Sequence, residues 1–92
     1  MIEKAAVRAF IHIIAESSQL ENVSRHLVKF PETVDVYEVT GEYDVIAIVD
    51  TQNIEEFRSF LKDKILKTPG VKSTVTSIVL HTYKRNGVEL EE

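Results

Sequence analysis

Two short segments carry the groups best suited to chemistry. Gly41-Glu42-Tyr43-Asp44 lies between two apolar stretches and supplies a carboxylate and a phenol beside a glycine turn. Ser73-Thr74-Val75-Thr76 follows Pro69-Gly70-Val71 and supplies two hydroxyls. On a strand, Thr74 and Thr76 share one face, ~7 Å apart. A fixed Asp44 can pair with an ammonium, and a charge-assisted bond of this kind is about twice as strong as a neutral one. Hydroxyls on a covered face need partners, and a bound carboxylate would provide them. The set therefore suits a small zwitterion better than bond breaking. Each residue also has a plainer role: Gly41 and Asp44 are turn formers, and threonine is a good strand former.

A catalytic constellation is missing. There is no cysteine and no G-x-S-x-G turn, and the three glycines at 41, 70 and 87 are too far apart for a phosphate loop. Glu42 and Asp44 share a face only if both lie in a strand, and nothing in the sequence tunes either for acid-base work. His26 belongs to the exposed side of a helix. His12 and His81 fall on strands that should be neighbours, but no third ligand stands at metal-site spacing. We expect no catalytic residue, no metal site and no cofactor.

The elements that must position these groups are legible from periodicity. Residues 5–15 alternate as a strand, with Val7, Ala9, Ile11 and Ile13 on one face and Arg8, Phe10, His12 and Ile14 on the other. Ser18-Gln19-Leu20-Glu21 has a capping-box pattern, opening a helix whose stripe is Leu20, Val23, Leu27 and Phe30. Glu21 and Arg25 pair across one turn, and Pro31 stops the helix. Val34–Thr40 is a second strand, Gly41 turns the chain, and Tyr43–Asp50 is a third strand. Because the third strand is apolar on both faces, it should be central. Asn53-Ile54-Glu55-Glu56 opens a second helix, with Ile54, Phe57, Leu61 and Ile65 in its buried stripe and Phe60 beside it. Lys62, Lys64 and Lys67 close it, as the helix dipole favours. Val71–Tyr83 is a long fourth strand, and the polar tail from Lys84 frays or adds a short edge strand.

The order strand-helix-strand-strand-helix-strand is that of an α+β, ferredoxin-like βαββαβ sandwich: a four-stranded antiparallel sheet with two helices on one face. The helices cover one face only. The other is apolar too, so two sheets should pair face to face in a barrel-like homodimer.

Composition agrees. Ninety-two residues make a single domain, residues 1–92, and a chain this short buries only a little over ~60 % of its unfolded surface. With 43 % hydrophobic residues and no cysteine, it has no disulfide to add, so self-association is the remaining source of buried area. No apolar run approaches the ~20 residues of a membrane span, and there is no leader, which points to a cytoplasmic protein away from membranes. The net charge of −4 and eleven scattered Lys and Arg residues offer no stripe for nucleic acid.

Gly41-Glu42-Tyr43-Asp44, the strand Val45–Val49, the turn Pro69-Gly70-Val71 and the run Thr74–Leu80, with the opening Ala6–Ile11, together resemble the effector-binding (RAM) domain of the Lrp/AsnC transcription regulators. The resemblance runs over residues 5–82 without a gap. It implies a βαββαβ fold, dimers joined through their sheets, and higher assemblies, often octamers of four dimers. It also implies a small effector, usually an amino acid, held between dimers by Gly41, Tyr43, Asp44, Thr74 and Thr76. Asp44 would hold the effector's ammonium or order the loop. Full-length members carry a helix-turn-helix domain before this one. Only about four residues precede the first strand here, so we expect a stand-alone form that does not itself bind DNA and that acts through its own oligomerisation or by co-assembly with full-length regulators. Two other readings share the strand order. A small dimeric monooxygenase or isomerase would use a cleft formed by His12, His81 and Tyr83. An ACT-like sensor would bind near Glu16–Gln19, but that loop has no glycine.

Overall fold

A computed structural model describes residues 7–90. The expected first two residues of the opening strand, 5 and 6, lie outside the described residues. Strand β1 (Val7–Ala15) leads through a 3-10 turn (Ser17–Gln19) into helix α1 (Leu20–Leu27), then β2 (Thr33–Glu38) and β3 (Val45–Thr51). Helix α2 (Ile54–Phe60) runs on into a π-helical turn (Leu61–Ile65), followed by β4 (Val71–Ile78) and a two-stranded ribbon, β5 (Lys84–Arg85) and β6 (Val88–Glu89). The main sheet has the order β2-β3-β1-β4, all antiparallel, which is the expected ferredoxin-like sandwich.

Strand β1 sits in the middle and alternates as its sequence requires. Ala9, Ile11 and Ile13 are fully buried, together with Val45, Ala47 and Val49 of β3. Against this face pack Val23 and Leu27 of α1 and Phe57, Phe60 and Ile65 of the second helical segment. The opposite face carries Phe10, His12, Ile14, Ile46 and Ile48, each only half-buried. No helix of the described residues is long and apolar enough to cross a membrane.

The structure departs from expectation at several ends. The capping box at Ser18 does not form. Glu16 N–H is tied to Gly70 C=O (2.8 Å), and Gln19 N–H closes on Glu16 C=O (2.8 Å), so the chain makes a 3-10 turn first. Gln19 becomes the N-cap, without a side-chain cap bond. Helix α1 ends at Leu27, well short of Pro31. Lys29 and Phe30 tighten to i−3 bonds, and the Thr33 hydroxyl lies 2.8 and 2.9 Å from the carbonyls of Leu27 and Phe30. The Asn53 cap does form: Glu56 N–H donates to Asn53 Oδ1 (2.7 Å). Ile54, however, is half exposed, because it stands in the first turn at the rim of the core. Helix α2 gives way to a π turn in which Leu66 N–H reaches Leu61 C=O (2.9 Å). Strand β4 stops at Ile78, so His81 lies outside it, and the tail folds into its own ribbon.

Candidate functional site

Three backbone and side-chain bonds hold the loop between β2 and β3. Val39 N–H donates to Asp44 C=O (2.9 Å), and Asp44 N–H donates to Ile13 C=O (2.9 Å). Ala15 N–H donates to Asp44 Oδ2 (2.9 Å). Asp44 therefore joins the last rung of the β1–β3 pairing, Ile13 opposite Val45, and its carboxylate satisfies the amide at the end of β1. Among the described residues the other carboxylate oxygen makes no hydrogen bond. Gly41 has φ +111°, a left-handed conformation that costs little only for glycine. The Tyr43 ring tilts against His12, with centroids 5.2 Å apart. The loop is thus fixed at both ends, and its aromatic stands over the helix-free face.

Thr74 and Thr76 are half-buried on β4, the edge strand. They lie opposite Ile13 and Ile11, so they share the helix-side face. Neither hydroxyl makes a hydrogen bond among the described residues. Asp44 and Thr74 flank the same β1 residue, Ile13, from its two sides. Two strand spacings separate them, ~10 Å. The threonines face the helices while Tyr43 packs on the other face. One protomer therefore brings the five residues to one end of the sheet without closing them into a single pocket.

The concavities lie elsewhere. A groove of about 510 Å³ runs over the helix-free face between Phe10, Ile48 and Val79 and the ribbon residues Tyr83 and Arg85. A second, of about 500 Å³, follows α2 past Arg58, Lys62 and Leu66. His81 and Tyr83 line the first groove, their ring centroids 4.6 Å apart. His12 is not with them. It pairs with Val75 across β1–β4, four positions along from the level of Arg8, to which Val79 bonds. The three residues of the enzyme reading do not converge. Glu16–Gln19 is packed against the Gly70 turn, where an added Cβ would come within 2.5 Å of Gln19 Cβ. Among the described residues, no three His, Asp or Glu side chains are grouped to hold a metal ion.

Two contacts were not apparent in the sequence, one at the loop and one at the far end of β1. One is the packing of His12 on Tyr43. The other is Arg8 on Asp50, a bidentate pair at 2.7 and 2.8 Å between directly opposed residues of β1 and β3. The hydrogen bond to Asp50 raises the Arg8 pKa above its ordinary value, against a smaller opposing effect of burial, with Asp50 and Asp35 adding charge attraction. Both contacts depend on strand register, which a single sequence signals only weakly.

The model of the Lrp/AsnC ligand binding domain family matches residues 8–89. The HTH-type transcriptional regulator FL11 of Pyrococcus horikoshii is 45 % identical over 76 residues, 83 % of this chain and 50 % of that protein. The chain spans about half the length of the curated relatives it matches. TTHA0845 of Thermus thermophilus superposes with a TM-score of 0.81 at 29 % identity, over 86 % of this chain and 99 % of that one. E. coli AsnC superposes with a TM-score of 0.82 at 28 % identity, over 86 % of this chain and 54 % of its own.

Proposed function

The chain belongs to the Lrp/AsnC ligand-binding domain family, and from that premise we propose that it is the effector-sensing module of a transcription regulator. The effector is a small zwitterion, an amino acid, held where dimers meet. Gly41 shapes the loop, Tyr43 walls the site and the free oxygen of Asp44 takes the ammonium. Thr74 and Thr76 offer hydroxyls to the carboxylate. The observation that carries this reading is the tethered loop. Asp44 spends one oxygen on Ala15 N–H and keeps the other, so a charge is held in place in advance of a ligand.

The half-buried apolar face of Phe10, Ile14, Ile46 and Ile48 supports a face-to-face homodimer. Effector bound between dimers stabilises the higher assembly by its preference for the assembled form. The net charge of −4 supports a domain that senses and assembles while DNA is held by full-length regulators with which it co-assembles in the cytoplasm. No catalytic step belongs to this reading.

The test is a thermal-shift screen against the twenty amino acids, with mass followed by light scattering. Saturable stabilisation by one or a few, with a change in assembly size, is expected. Asp44→Ala should stay folded and lose that response. An unchanged response in the variant would sink the assignment of Asp44.

A further inference from the structure

The edge strand β4 reads the same in both directions over its middle: Ser73-Thr74-Val75-Thr76-Ser77. Its outer edge has no strand partner among the described residues. Val79 N–H donates to Arg8 C=O (2.8 Å), which sets the parity of the ladder. In an antiparallel pair, alternate residues turn their backbone groups to the neighbour. Ser73, Val75 and Ser77 therefore bond inward to β1, and Thr74 and Thr76 turn their N–H and C=O groups outward. Asp44 bonding to Ile13 C=O from the β3 side fits the same parity on β1.

We propose that two copies of β4 pair edge to edge about a two-fold axis at Val75, joining the sheets of neighbouring dimers. This rests on the effector-module reading above and names the place where dimers meet. Antiparallel pairing centred on Val75 sets Thr74 against Thr76 of the second copy, and Ser73 against its Ser77. Every side chain in the run then meets its own kind or its homologue, without a charge. The outward backbone groups fall opposite one another, so the two Thr74–Thr76 pairs are the hydrogen-bonded ones and Val75–Val75 is the close, non-bonded pair.

Four threonine hydroxyls, two from each copy, gather on the helix-side face. That completes a polar set which one protomer holds only in half, and it provides for hydroxyls that have no hydrogen-bond partner among the described residues. The other edge does not offer this. Strand β2 carries Asp35 and Glu38 and has a register shift between Thr33 and Asp35, so self-pairing there meets like charges on an irregular edge.

The chain has no cysteine, so disulfide mapping tests the pairing in the full chain without effector. Val75→Cys should cross-link to itself under mild oxidation, because its Cβ atoms face each other across the axis. Thr74→Cys and Thr76→Cys should cross-link rapidly when mixed and slowly when either is alone. Val75 and the threonines are on opposite faces of the sheet, so only edge pairing links both sets; face-to-face packing links at most one. Failure of the mixed pair to outpace the single variants overturns the proposal. The amino acid screen stands apart from this outcome: cross-links without any effector response would retain the edge pairing and defeat the sensing role.

Discussion

Asp44 has two separable features. Its Oδ2 accepts from Ala15 N–H, and its charge is the one that the proposed site offers to a ligand. Asp44→Asn keeps an acceptor and removes the charge. We expect its stability within about 0.5 kcal/mol of the parent, since the bond is retained, while Asp44→Ala loses about 1–2 kcal/mol with the orphaned amide. Both variants should lose the ligand response in the thermal-shift assay. Equal stability of the two would show that the Ala15 bond contributes nothing. The glycines divide in a similar way. An added Cβ at Gly70, with φ +97°, meets Gln19 Cβ at 2.5 Å and Val23 Cγ2 at 2.9 Å, whereas at Gly41 it meets nothing within 4 Å. Gly70→Ala should cost more than the ~1 kcal/mol of backbone strain that Gly41→Ala incurs, as read by urea denaturation. Of the residue-level features, the turn at Gly41 was legible from the residue type alone. The Ala15 contact was not, because it joins residues 29 apart.

At the scale of elements, caps and cross-strand pairs set the geometry. Asn53 caps α2 and Glu56 reaches back to Gln52 N–H (2.7 Å), so both ends of the turn are satisfied. Asn53→Ala should destabilise by about 1 kcal/mol. For a domain of this size that lowers the melting temperature by roughly 4–8 °C. The Arg8–Asp50 pair links the two central strands. Because Asp50 raises the Arg8 pKa, deprotonation of the arginine removes the pair's contribution only in strong alkali. Its side chains are 30 % and 27 % exposed, so solvent screens it. Asp50→Asn should cost no more than about 1 kcal/mol in the monomer, and the cost should shrink as salt is added. Farther along, the π turn lets Lys64 reach Glu32 (3.1 Å) while lying over the rings of Phe30 and Phe60. The lysine run at 62, 64 and 67 suggests a helix end; that one of the three would clasp β2's entry follows from the widened turn.

For the whole molecule, the deciding feature is a sheet with helices on one side only. Phe10, Ile46 and Ile48 are half-buried in the protomer and would be covered by a second sheet. A charge at the centre of that face is the simplest probe. Ile48→Lys should break the face-to-face contact, leaving copies joined at most through β4 with a lower mass in light scattering, and the variant should melt lower because the protomer's core is thin. A mass that does not change would place the dimer contact elsewhere. The edge contact through β4 is independent of this one, and two different two-fold contacts on one chain extend an assembly beyond the dimer.

The sequence by itself determined the elements, their order and their inner faces. Alternation in residues 7–15 and 45–51, and helical spacing at Val23, Leu27, Phe57 and Ile65, are local consequences of which side chains must leave water. Element ends were less legible. Ser18 has the residue type of a cap but loses that place because Gly70 holds Glu16 from a distant turn. Only the tertiary structure decided register, and register decides the site. It puts Asp44 and Thr74 on either side of Ile13 and turns the threonines to the helix side. It also sends their backbone groups outward and places His12 under Tyr43. Those relations are non-local: they come from pairing strands far apart in the chain, and a one-residue slip would move every side chain to the other face.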